Sequence, residues 1–142
     1  MKKTLFATPQ DAEAAFYDAF MKRDLEAMMA VWADDDEVYC VHPRGPRITG
    51  VAQIRESWRQ IFATAQNVRF QVREQHLLQA MMVSIHSVYE QITVAGEERT
   101  RASIVATNIY MRTDRGWRMM VHHASPAPAL EQAEPRKAKT LH

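Results

Sequence analysis

The sequence predicts an α+β domain in which three N-terminal helices cover one face of a strongly curved antiparallel sheet. Apolar residues recur at helical spacing up to Ala65, and from Val68 onward the pattern changes to long strand-like runs separated by short turns. Size agrees: 142 residues, 46% hydrophobic and 25% charged, make one ordinary domain able to bury its own core.

Thr8 caps the first helix and Pro9 takes its first position, while Asp11 and Glu13 favour the positive end of the helix dipole. Ala12, Ala15, Phe16, Ala19 and Phe20 define the buried face, and Lys22-Arg23 close the helix. Asp24 caps a second helix with the stripe Leu25, Met28, Met29 and Trp32, which the cluster Asp34–Asp36 stops. Glu37 to His42 alternates as a strand, with Val38, Cys40 and His42 on one face. A Gly/Pro/Arg loop leads through Thr49-Gly50 into a third helix whose stripe is Val51, Ile54, Trp58, Ile61, Phe62 and Ala65. Strands follow at Val68–Gln79, Met81–Val94, Thr100–Thr113 and Trp117–Ser125, with turns around Gln79-Ala80, Gly96 and Asp114-Arg115-Gly116. Residues 1–125 form the domain. Residues 126–142 hold three of the six prolines and little to bury, which predicts a flexible tail.

A net charge of +1, from 18 basic and 17 acidic residues spread along the chain, argues against a nucleic-acid surface. Cys40 is the single cysteine, so no internal disulfide forms and a reducing cytoplasm fits best. Charged residues follow Met1-Lys2-Lys3 too soon for a signal peptide, and no segment is long and apolar enough to span a membrane.

His42 stands where a strand end, the rigid Pro43 turn and two helices converge, and such places form pocket mouths. A histidine titrates near neutrality, which suits proton abstraction; the bland alternative is a strand-end histidine bonded to backbone. His122 and His123 must point to opposite sheet faces. His86, Val88 and Glu90 share a face that the pattern leaves unassigned. Cys40 shares a strand face with His42, but side chains two apart on a flat strand are about 6–7 Å apart, too far for thiol activation. No H-x-H or H-E-x-x-H spacing occurs, so neither a metal nor any other cofactor is expected. Nine methionines supply a soft interior, and Arg44 and Arg47 are either solvated or a rim for an anionic ligand group.

The order of elements resembles the nuclear transport factor 2-like superfamily. So do W-A-D-D at the end of helix two, H-P after the first strand, I-T-G before helix three and D-R-G-W…H-H-A-S in the last hairpin. Within it, the chain is most similar to SnoaL-like and ketosteroid-isomerase-like proteins, over about Pro9 to Ser125. The resemblance implies a cone-shaped, cystatin-like α+β fold, with helices over the concave sheet face and a pocket between them. It also implies a homodimer through the outer sheet face. His42 matches the place of the isomerases' general base. Phe16 and Asn108 match the places of their oxyanion-holding Tyr and acid, so that pair is not preserved, although Tyr17 stands beside Phe16. Counting from the family's cavity-facing positions groups Asn108 with Met120, His122 and Ala124, an assignment that a β-bulge would change. The expected activity is acid–base catalysis of isomerase, cyclase or lyase type on a small apolar carbonyl compound. His42, Asn108, His122 and Tyr17 would be the catalytic set, and Phe16, Phe20, Trp32, Trp58, Met120 and Arg44 the substrate-binding set. The rival reading is a ligand-binding or dimeric scaffold module without chemistry.

Overall fold

A computed structural model describes residues 5–64, 67–94, 96 and 102–128. Its elements are α1 (Pro9–Lys22), α2 (Leu25–Val31), β1 (Tyr39–Val41), β2 (Arg47–Thr49), α3 (Val51–Thr64), β3 (Val68–Gln79), β4 (Val83–Val94), β5 (Ala102–Thr113) and β6 (Gly116–Pro126). Ala65, Thr100 and all of the expected tail beyond Pro128 lie outside the described residues.

The helix starts follow from local chemistry. Thr8 accepts from the Asp11 amide at 3.0 Å, and Asp24 accepts from the Ala27 amide at 3.1 Å, each satisfying an amide that the first turn leaves free. Helix α2 is shorter than expected, ending at Val31, because Trp32 leaves the helix to bridge Met119 of β6. Arg118 reinforces this junction by donating to the Ala30 carbonyl.

The six strands form one sheet in the order β2-β1-β6-β5-β4-β3. The sheet is curved but mixed rather than wholly antiparallel, because β1 runs parallel to β6. The segment Arg47–Thr49, expected as loop, is strand β2, antiparallel to β1. The bulge that could change the facing of β6 is present. Ile109 pairs with Val121 and Tyr110 with Met119, so Met120 is skipped. Asn108, His122 and Ala124 therefore keep one face, but Met119 takes the inward place expected of Met120, which packs half-buried beside the core.

That inward face is the one α1 covers. Ser84, His86, Val88 and Glu90 of β4 and Ile104, Ala106, Asn108 and Tyr110 of β5 are all buried, while the residues alternating with them, apart from Gln91, are only partly so. Phe16, Met28, Ile54, Trp58, Tyr110 and Met119 fill the space between helices and sheet. At the start of β6, Gly116 has φ +87° and pairs with Phe6; an added Cβ would stand 2.8 Å from the Phe6 carbonyl oxygen, so only glycine fits.

Candidate functional site

Strand pairing sets up the site. Cys40 of β1 lies opposite His122 of β6, His122 opposite Asn108 of β5, and Asn108 opposite His86 of β4. Four chemically capable side chains thus form one buried row across four strands. Helix α1 lays Glu13 and Tyr17, one turn apart, over that row.

The result is a continuous polar network inside an aromatic shell. The Asn108 amide donates to Glu13 Oε2 at 3.0 Å and to the Tyr17 hydroxyl at 3.1 Å, and its carbonyl oxygen lies 2.6 Å from His122 Nδ1. Tyr17 in turn donates to Glu90 Oε2 at 2.5 Å. Glu13 also accepts from Tyr110 at 3.2 Å and Gln75 at 2.9 Å. His86 Nδ1 stands 3.1 Å from Glu13 Oε1, close enough for attraction though not aligned as a hydrogen bond, and its Nε2 meets Ser84 Oγ at 2.8 Å.

These contacts fix protonation. Both Asn108 N–H groups face acceptors, so its oxygen faces His122, and His122 must carry its proton on Nδ1. Burial holds the His122 pKa at about 3, helped by the charges of His42 and His123, so the ring is neutral. The two carboxylates diverge. Burial opposes ionisation of Glu13, but His86, Asn108 and Gln75 outweigh it and leave its pKa below the usual range. Glu90 is raised to about 7, chiefly by burial and further by the Glu13 charge, against the opposing bond from Tyr17. A carboxylate pair so split is a proton donor beside a fixed anion.

His42 sits just beyond β1, half-buried, with its ring edge-on to Trp58 at 4.8 Å between centroids. Its Nε2 lies 3.0 Å from Ser57 Oγ and 3.7 Å from Cys40 Sγ. The Cys40–His42 contact is closer than a flat strand allows, because β1 ends at Val41 and the ring turns back. Cys40 is nonetheless no nucleophile, since burial and the nearby Glu90 charge push its thiol pKa well up. Ser57 already gives its proton to the Ile54 carbonyl at 2.8 Å, so it accepts from His42 Nε2. That leaves the His42 lone pair on Nδ1, and burial lowers its pKa.

Phe16 and Trp58 are fully buried, and both lie against the His122 ring, at 4.9 and 6.2 Å; Phe20 packs on Trp58 at 4.8 Å. The expected residues His42, Tyr17, Asn108, His122, Phe16, Phe20 and Trp58 are therefore brought together. Trp32 is instead core at the Met119 bridge, Met120 is at the bulge, and His123 is exposed. Arg44 is exposed at the tip of a turn closed by the Gly45 amide on the His42 carbonyl, with φ +66°. Among the described residues no group of three or more His, Cys, Asp or Glu could hold a metal ion. Likewise, no described helix is long and apolar enough to cross a membrane.

Sequence reasoning missed Glu13, Tyr110, Ser57 and the inward facing of His86 and Glu90. The available signal was Glu13 falling between Ala12 and Phe16 on the buried stripe of α1.

A SnoaL-like domain model matches residues 10–129. The chain belongs to the SnoaL-like domain family. Among solved structures, this SnoaL-like chain is similar to a Thiobacillus denitrificans protein provisionally named a calcium/calmodulin-dependent protein kinase type II association domain. The two are 44% identical with a TM-score of 0.85, over 88% of this chain and 99% of that one. It is also similar to a protein provisionally named a dehydratase of the nuclear transport factor 2-like family from Streptomyces avermitilis. That likeness is 31% identity and TM-score 0.74, over 83% of this chain and 92% of that one. A cystatin-like protein from Nostoc punctiforme, at 15% identity and TM-score 0.73 over 90% and 99% of the two chains, shares the fold. The F-box protein SKIP8 of Arabidopsis thaliana is 26% identical over 110 residues, 78% of this chain; the match spans 46% of that protein.

Proposed function

We propose that this SnoaL-like domain binds a small, largely apolar carbonyl compound and carries out acid–base chemistry of isomerase, cyclase or lyase type, with His42 as the base. The observation that carries this reading is the state of His42. Its partners are side chains rather than backbone, its Nε2 is anchored by Ser57, and its lowered pKa keeps an unprotonated Nδ1 available at neutral pH. Asn108 and Tyr17 have their protons committed within the protein, so they are positioning residues that fix His122 rather than donors to a ligand oxygen. The likeness to the provisionally named dehydratase favours the lyase type. Cyclohexanone in deuterated buffer provides the test. Exchange of its α-protons should fall by about 10²–10⁴-fold in His42→Ala while binding persists. Binding with no exchange above buffer in either protein would reduce the domain to a carrier, and equal exchange in both would remove His42 as the base.

The 44% identity to a provisionally named association domain supports a second reading, self-assembly through the outer sheet face. On that face Ile85, Tyr89, Val105, Ile109 and Met111 are half-exposed, an apolar surface of the kind that dimers cover. Sedimentation of the wild type should give a dimer and that of Val105→Glu a monomer. A monomeric wild type rejects the assembly.

A further inference from the structure

Two polar atoms beside the candidate base lack partners among the described residues. Trp58 is fully buried, and its indole Nε1–H meets no acceptor. His122 is 2% exposed, and its only hydrogen bond is through Nδ1 to Asn108, which leaves a lone pair on Nε2. The orphan donor disfavours the fold, a cost that phenylalanine at position 58 would avoid. The two rings are 6.2 Å apart between centroids, and Phe16 packs on both, at 5.8 Å from Trp58 and 4.9 Å from His122. Trp32 carries a similar orphan N–H, but it sits at the Met119 bridge.

One chemical group has both the acceptor and the donor that these two atoms call for. A hydroxyl oxygen accepts from an indole N–H and gives its own proton to an imidazole lone pair. A carbonyl satisfies only the donor, and a hydrocarbon neither. We infer that Trp58 and His122 form a hydroxyl subsite, and that the ligand is an apolar hydroxy-carbonyl compound. This rests on the proposed function for the carbonyl end of the ligand, but the hydroxyl end stands on the orphan Trp58 N–H and the unbonded Nε2 of His122 alone. Trp58 is then a ligand-binding donor as well as an apolar wall.

The test is the indole N–H resonance of Trp58 in ¹⁵N-labelled protein, titrated with cyclohexanol, cyclohexanone and benzene. Cyclohexanol should move that resonance downfield and bind more tightly than cyclohexanone, and benzene should leave it close to its starting position. Trp58→Phe should weaken cyclohexanol roughly tenfold while changing benzene by no more than about twofold. His122→Phe should erase the preference for cyclohexanol over cyclohexanone. If Trp58→Phe fails to fold, Trp32→Phe and Trp117→Phe assign the resonance by elimination, and the wild-type ranking decides. The inference is overturned if cyclohexanol leaves the resonance unmoved up to its solubility limit, or if benzene moves it equally. A resonance that instead cross-relaxes with water and ignores all three probes also overturns it, since a buried water then fills the place. A Trp58 response without His42-dependent exchange keeps the subsite and rejects the acid–base reading. Exchange without a Trp58 response does the reverse.

Discussion

Glu13→Ala is expected to lower the free energy of unfolding by about 3–5 kcal/mol. Glu13 is 4% exposed and accepts from three side chains on two strands, Gln75 of β3 and Asn108 and Tyr110 of β5. His86 of β4 faces the same carboxylate. Alanine leaves these groups without their acceptor in a site that water enters poorly. It also frees the Asn108 amide, and with it the orientation of His122. Urea denaturation followed by tryptophan fluorescence measures the loss. A change below about 1 kcal/mol would mean that the network is hydrated and its members are replaceable one by one.

The second large effect is a pH dependence that hides in the wild type and emerges in single variants. His122 titrates at about 3 in the folded chain against 6.5 in the unfolded, so between those values the unfolded state binds the extra proton. Its contribution is fully present above about pH 6.5 and is lost as pH falls toward 3, at most about 5 kcal/mol. Glu90 has the opposite sign. Its pKa is about 7 folded against 4.5 unfolded, so its contribution is fully present below about pH 4.5 and is lost as pH rises through 7, at most about 3 kcal/mol. Between about pH 4.5 and 6.5 the two slopes oppose each other, and their share of the wild-type stability is nearly flat. Glu90→Gln removes one slope, so its stability should climb with pH across that window. His122→Phe removes the other and should decline across it. Parallel profiles for the two variants would show that neither group carries its assigned proton.

The fold was legible where a signal is local. Thr8 and Asp24 announce their helices because a cap acts within three residues of itself, and β3 was readable because the spacing of apolar residues changes at Val68. Pairing direction was not legible, since alternation says which face a residue takes but nothing about whether β1 meets β6 parallel or antiparallel. Strand β2 escaped because three residues after Gly45-Pro46 look like loop until β1 supplies their partner. The Met120 bulge is a property of two strands together. Glu13 was misassigned for a different reason. A carboxylate in an early helical turn has a sufficient local role at the dipole, and that hides a tertiary one. At the site, His42, Tyr17, Asn108 and His122 could be singled out from the resemblance, whereas the bonds that assign their protons depend on Ser57, Glu13 and Glu90.

The lacing of early segments onto the last strand also sets the order in which the molecule can be made. Phe6 pairs with Gly116, Trp32 with Met119 and Tyr39 with Val121, so three stations within the first forty residues dock on β6. A nascent chain leaving the ribosome carries α1, α2 and β1 long before that strand exists. Until it emerges, Phe16, Met28 and Val31 have no sheet to lie on and are exposed to chaperones and to other chains. The domain therefore completes itself only once β6 has been made, and a premature stop before residue 116 discards the strand on which Phe6, Trp32 and β1 dock.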